Sequence, residues 1–273
     1  MVFEQFLASD KIKQNMFFVF LLGAFYVLVG YVVSAYFFEP SVSVAMLFTI
    51  TLLLVPSITS ILNLEEKIES KQGVKHFFHN HKDIFKIYFA LFKGIFFAFI
   101  LLGAYSQLSV FDYQINFLES RGDLEADIIT EFAESEYHPT FENVLGVVSQ
   151  NLLVVIIAFV LSIFYGAGAL FLIVLNASVF ASFIVHVVRE VGNALGLIMI
   201  FLIHLIPELG GFLAAAIAGG VVSRALYRED FMSQGFKNVM KDALVLLLIA
   251  FGLIILAALL EVFVSANLVK MVI

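Results

Sequence analysis

The chain has 273 residues, of which 62% are hydrophobic and 14% are charged, whereas soluble domains average roughly 45–50% apolar and about 25% charged residues. Together with a mean hydropathy of +1.04, this composition excludes an ordinary soluble domain and indicates an integral membrane protein. The sequence has no cysteine, which excludes disulfides, thiolate metal sites and a cysteine nucleophile. The net charge of −7 argues against a nucleic-acid partner.

Five apolar runs are each long enough to cross a hydrocarbon core of ~30 Å, which takes about 20 residues. They are Met16–Phe38, Val42–Leu64, Ile87–Leu108, Leu152–Leu175 and Ala243–Val264. Between the last two, Ala177–Val188 and Ala194–Ile206 are shorter, and Pro207 with Glu208 should end the second of these before Leu209–Leu226. We therefore predict an all-α polytopic transmembrane helix bundle of six to seven spans, with a broken or re-entrant helix region near 177–210.

Lysine and arginine beside the spans predict the orientation of the chain, because they accumulate in cytoplasmic loops. The segment after the second span carries five lysines: Lys67, Lys71, Lys75, Lys82 and Lys86. In contrast, Phe111–Leu145 carries nine acidic residues and one basic residue, Arg121. The pattern predicts a multi-pass protein of the cell membrane with a cytoplasmic N-terminus and an external acidic loop.

The same pattern divides the chain into three parts. Residues 1–110 form an N-terminal three-span unit with a lysine-containing cytoplasmic loop, whose histidines we expect to be solvated: His76, His79 and His81. Residues 111–145 form the acidic extracytoplasmic loop, in which apolar residues at helical spacing predict an amphipathic helix over Asp123–Tyr137. Residues 146–273 form a C-terminal membrane domain.

Ionisable side chains inside apolar stretches are costly and are therefore candidate functional residues. His186 and Glu190 are four residues apart, as are His204 and Glu208, so each pair shares one face of a helix. Arg189 adds a cation beside the first pair. Two histidines and two glutamates can bind Zn²⁺, relay protons or form buried pairs that fix helix packing. The sequence leaves these three interpretations open.

A second feature follows the His204 pair. Small residues recur at four-residue intervals at Gly211, Ala215, Gly219 and Ser223. Small residues on one face let helices approach closely in lipid. We expect this stripe to pack against another helix, either within the chain or in a neighbouring subunit.

Four segments of the C-terminal part are similar to a known family. They are Gln150-Asn151-Leu152, Phe164–Leu170 with the following Asn176, Ile203–Leu209, and Ala218-Gly219-Gly220. Over residues 143–227 the chain resembles the stage II sporulation protein M family of integral membrane proteins.

The resemblance implies a multi-spanning membrane component that recruits partners without catalysis of its own. We therefore expect a non-enzymatic scaffold or complex subunit in cell-envelope organisation, whose partners are the lipid bilayer and other membrane proteins or a second copy of the chain. A transporter is the alternative, because broken helices with polar groups near the bilayer midplane form many substrate sites. A third hypothesis is an intramembrane hydrolase that uses His204 and Glu208, but nothing else in the sequence points to an enzyme, and no cofactor is indicated.

The predicted orientation can be tested with single cysteines, since the natural chain has none. In intact cells, an impermeant thiol reagent should label Glu125→Cys in the acidic loop and should leave Gln72→Cys unlabelled. Permeabilised cells, in which both positions should react, provide the control. Labelling of Gln72→Cys alone in intact cells would overturn the orientation.

Overall fold

The computed structural model describes residues 15–75, 77–105, 108–120, 138–165, 169–191 and 194–272. These residues are almost entirely helical and include no strand. The helices are α1 (Met16–Phe37), α2 (Val42–Gln72), α3 (Phe77–Tyr105), α4 (Asp112–Ser120), α5 (Phe141–Tyr165), α6 (Ala169–Val191), α7 (Ala194–Arg228), α8 (Gln234–Leu260) and α9 (Ala266–Val272). A 3₁₀ turn at Leu108–Phe111 precedes α4, and a π-helical turn at Glu261–Ser265 joins α8 to α9.

Six of the described helices are long and apolar enough to cross a membrane, namely α1, α2, α3, α5, α7 and the α8–α9 rod. Helix α6 contains a shorter apolar stretch, Leu170–His186. The prediction of an all-α polytopic bundle of six to seven spans is therefore confirmed. The amphipathic helix predicted over Asp123–Tyr137 lies outside the described residues.

Two predicted helix boundaries are wrong. The run Leu152–Leu175 is not one span, because α5 ends at Tyr165 and α6 begins at Ala169. The intervening sequence contains two glycines, which are poor helix formers, but hydropathy does not register them as a break. Pro207 does not end a helix either, because α7 continues through it to Arg228. A proline is tolerated inside a membrane helix when its surroundings satisfy the freed carbonyl.

The path between α5 and α7 follows from the contacts that both make with α8. Val144, near the start of α5, clusters with Ala258 and Val262 at the far end of the α8 rod. Near the start of α7, His204 contacts Ser265 at that same end. Helices α5 and α7 therefore begin at the same end of the bundle and run in the same direction, so α6 runs back between them.

The lysine-containing segment is a helical hairpin. Helix α2 extends to Gln72 and α3 begins at Phe77, so only a short turn separates them. At 31 residues, α2 is about 46 Å long, which exceeds the ~30 Å hydrocarbon core. We refer to the end of the bundle at this turn as the hairpin end. Helix α7 finishes there and α8 begins there.

Glycines allow close helix contacts in both halves of the bundle. A side chain at Gly94 of α3 would overlap the backbone carbonyl of Phe20 on α1. Within the small-residue stripe of α7, a side chain at Gly219 would overlap α5 at Phe159, and one at Gly211 would crowd Ile254 of α8. Helix α7 is thus wedged between α5 and α8, with residues 211–223 all buried.

We expect Gly94→Ala to lower the free energy of unfolding by about 1–3 kcal/mol, because the added methyl group must push α1 and α3 apart. Gly252→Ala is the matched control, since nothing lies within 4 Å of a side chain there. It should leave stability unchanged or raise it by about 1 kcal/mol through helix propensity. Thermal unfolding in detergent, followed by circular dichroism, compares the two variants. Equal effects would contradict the contact between α1 and α3.

Candidate functional site

The hairpin end contains a cluster of buried ionisable side chains from three helices. Glu65 and Glu69 are four residues apart on α2 and therefore share one helix face. His81 lies on the second turn of α3, and Asp242 lies on the third turn of α8. The exposed fractions of Glu69, His81 and Asp242 are 0%, 2% and 1%. We call these four residues the His81 cluster.

His81 is the centre of the cluster and contacts carboxylates with both ring nitrogens. Its Nε2 lies 2.6 Å from Oδ2 of Asp242. Its Nδ1 lies 2.8 Å from Oε1 of Glu65 and 3.7 Å from Oε1 of Glu69. One imidazole therefore links the α2–α3 hairpin to α8, although Asp242 is 161 residues away in sequence.

The cluster has more negative charge than its histidine can offset. Three carboxylates face one imidazole, so even a protonated His81 leaves a net negative charge in a buried place. Neither oxygen of Glu69 has a hydrogen-bond partner, and neither does Oδ1 of Asp242. Because unpaired buried charge is strongly unfavourable, such a set must share protons or bind a cation.

Neighbouring side chains enclose the cluster. The ring of Phe77 lies edge-on to His81, with ring centroids 4.5 Å apart. Glu66, also buried on α2, points elsewhere and accepts a hydrogen bond from Nη1 of Arg228 at 3.3 Å. Arg228 thus ties the end of α7 to the hairpin. Among the described side chains, no arginine or lysine forms an ion pair with the His81 cluster.

The expectation that His81 is solvated is wrong, whereas His79 is indeed exposed and His76 lies outside the described residues. The helical register of α3 is the sequence feature that indicates the burial of His81. Buried residues of α3 recur at intervals of three and four, and His81 takes the first place in that series: His81, Ile84, Tyr88, Leu91, Ile95. On α2 the series Ile58, Leu62, Glu65, Glu69 has the same spacing. The ionisable residues therefore continue the core stripes of both helices.

The predicted His204 lies on α7, where it bonds to the π-helical turn. Its Nδ1 is 2.9 Å from Oγ of Ser265, and that hydroxyl donates to the Ile200 carbonyl at 3.2 Å. Since the hydroxyl proton is used in this way, the Nδ1–H of His204 is the donor to Ser265. Glu208 is buried one turn further along the same helix. Helix α7 is continuous here, so the two residues share a face as the spacing indicates.

The other predicted pair lies on α6. Arg189 donates from Nη2 to the backbone carbonyl of Gly103 on α3 at 2.6 Å. His186 is half-buried one turn earlier, and the side chain of Glu190 lies outside the described part of the chain. Among the described residues, no hydrogen bond or ion pair joins His186 to His204. The structure thus places the two histidines on separate helices, His186 on α6 and His204 on α7.

Comparison with known proteins identifies one family. The family model described as "Stage II sporulation protein M" matches residues 90–266. The match is wider than the resemblance seen in the sequence. It includes the second half of α3 and all of α8, and therefore Asp242. Glu65, Glu69 and His81 precede it. No curated protein and no solved structure matches the chain at a significant level.

Ser265→Ala should lower the free energy of unfolding by about 1–3 kcal/mol, because it leaves the part-buried Nδ1–H of His204 without an acceptor. Ser149→Ala is the matched control, since that exposed hydroxyl bonds to the Leu145 carbonyl of its own helix. The control should change stability by less than about 0.5 kcal/mol. Denaturation in detergent measures both, and equal losses would show that the bond between α7 and the π-helical turn contributes nothing.

Proposed function

The chain belongs to the stage II sporulation protein M family, and on this premise we propose that it is a non-enzymatic scaffold or complex subunit that organises the cell envelope. A scaffold needs a bundle of fixed shape that presents a constant surface to its partners. The arrangement of polar groups in the membrane region supports this role.

The observation that carries the proposal is that polar side chains in the apolar helices bond to neighbouring helices. His204 of α7 bonds to Ser265 beyond α8, and Arg189 of α6 bonds to the Gly103 carbonyl of α3. Gln114 of α4, a short helix that is not one of the six spans, likewise donates to Oγ of Ser178 on α6 at 3.0 Å. Bonds of this kind hold transmembrane helices in one arrangement. They favour the structural interpretation of the predicted polar residues over proton transfer.

The proposed partners are the lipid bilayer and other membrane proteins or a second copy of the chain. Helix α5 offers the surface for them, because one face of it packs against α7 and α8 while the other face is exposed along the length of the helix. Its outward apolar side chains are Leu145, Leu153, Ile156, Ile157, Val160 and Phe164. We further propose that the hairpin end is cytoplasmic, because it carries the lysines of α2 and α3.

A photo-crosslinking residue placed at Ile156 in the full-length protein should give a protein adduct of defined mass in native membranes. Val155 is the matched control, because it is fully buried against the rest of the bundle while Ile156 is exposed. The same residue at Val155 should give no intermolecular adduct. Adducts with lipid alone from Ile156, and from Leu153 and Val160 on the same helix, would contradict a scaffold that binds proteins through α5.

The transporter alternative is tested through Glu208. If this carboxyl group has a structural role, Glu208→Gln should keep the melting temperature and the crosslinking pattern of the natural chain. Purified protein in proteoliposomes should then show no proton-coupled solute uptake. Uptake that is present in the natural chain and lost in a normally folded Glu208→Gln variant would support a transporter and overturn the proposal.

A further inference from the structure

We propose that Glu65, Glu69 and His81 bind a divalent first-row transition-metal ion, and that Asp242 is the positioning residue of this site. The inference is separate from the scaffold role, since it concerns what the His81 cluster holds and not which partners the bundle recruits. It rests on the orientation of the imidazole, the spacing of the ligand atoms and the charge of the cluster.

Asp242 fixes the orientation of His81. Its Oδ2 lies 2.6 Å from Nε2, so the Nε2–H of the imidazole donates to the carboxylate. Metal-binding histidines commonly donate their second ring N–H to a carboxylate, which fixes the tautomer and raises ligand basicity. Here the tautomer places the lone pair on Nδ1, and Nδ1 is the nitrogen that faces Glu65 and Glu69.

The ligand atoms have the spacing that a small cation needs. Nδ1 of His81 lies 2.8 Å from a Glu65 oxygen and 3.7 Å from a Glu69 oxygen. The three ligand atoms all lie within 4.8 Å of one another. Metal–ligand bonds of about 2.0–2.2 Å in tetrahedral geometry separate ligand atoms by roughly 3.3 Å. Small side-chain adjustments would therefore bring all three atoms to one ion.

The charges and the unpaired atoms point to a cation independently of the spacing. Glu69 has an exposed fraction of 0%, and both of its oxygens are without a hydrogen-bond partner. With a neutral imidazole, the three ionised carboxylates carry three negative charges, and a divalent ion would reduce the net charge to one while converting repulsion between Glu65 and Glu69 into attraction to the ion. With the Nε2–H tautomer, Oε1 of Glu65 faces the Nδ1 lone pair at 2.8 Å, and an ion bound to both atoms would make this close contact favourable.

The donor set indicates the class of metal. One imidazole nitrogen with two carboxylates suits Zn²⁺, Mn²⁺ or Fe²⁺. Ca²⁺ takes six to eight oxygen ligands, and Mg²⁺ keeps several waters, so neither matches a buried three-ligand set that includes nitrogen. Metal sites built from side chains of facing helices are a common feature of helix bundles. An ion here would join α2 to α3, and the bond between His81 and Asp242 would connect the site to α8.

The experiment uses full-length protein in detergent, stripped with a chelator and then equilibrated with Zn²⁺ or Mn²⁺. After dialysis, elemental analysis should find about one ion per chain, and the melting temperature should rise on binding. Glu69→Gln should abolish both effects. It keeps the shape of the side chain and removes an unpaired buried charge, so the variant should fold. His81→Asn should also lose the ion.

Two further variants test whether the ion binds at the His81 cluster and whether Asp242 positions the imidazole. His79→Asn is the matched control, because His79 lies only two residues away and is exposed. This variant should bind the ion as the natural chain does. Asp242→Asn should keep the stoichiometry and weaken the affinity by about 10–100-fold, as expected for a positioning residue.

Three results would overturn the proposal. The first is no stoichiometric binding by the natural chain, which would mean that the cluster shares protons instead. The second is binding that persists in both Glu69→Gln and His81→Asn, which would place the ion elsewhere. The third is a preference for Ca²⁺ or Mg²⁺ that does not depend on His81.

Discussion

The interior of a lipid bilayer offers no hydrogen bonds, and the architecture of this protein depends on that constraint. Backbone groups are satisfied within helices, so the described chain is a bundle of helices. Polar side chains are subject to the same constraint and bond to neighbouring helices, as His204 does to Ser265 and Arg189 to the Gly103 carbonyl. Attraction between apolar surfaces does not order helices in lipid, so these bonds and the close glycine contacts determine which helices meet.

The sequence predicts the fold class and most helices because both depend on quantities that local composition carries. An apolar run of sufficient length must cross the bilayer as a helix, and Val42–Leu64 lies within α2 as expected. Helix ends are harder, because hydropathy does not distinguish one long helix from two that meet within an apolar run. The end of α5 at Tyr165 and the passage of α7 through Pro207 were missed for this reason.

The reliance of sequence-based prediction on local composition also explains why His204 and Glu208 were predicted as polar sites and His81 was not. His204 and Glu208 stand out in the sequence because their neighbours are apolar, but Ser265, the partner of His204, is 61 residues away. His81 was missed because its neighbours in sequence are polar and charged, which is typical of a solvated segment. Its burial depends on the helical register of α3 and on Asp242, which a distant helix brings into contact. Local sequence shows which groups are unusual, whereas tertiary contacts decide which groups meet.

The π-helical turn at Glu261–Ser265 has a consequence for the end of the rod. The amide of Ala266 donates to the Glu261 carbonyl, five residues back, so the turn accommodates one residue more than a regular helix. One residue corresponds to a rotation of about 100° around the axis. The extra residue thus rotates the following part of the helix so that both Ser265 and Val269 face α7, where Val269 packs with Ile200. A deletion of one residue in this turn would preserve helicity and hydropathy while directing the last turns of the rod to a different neighbour.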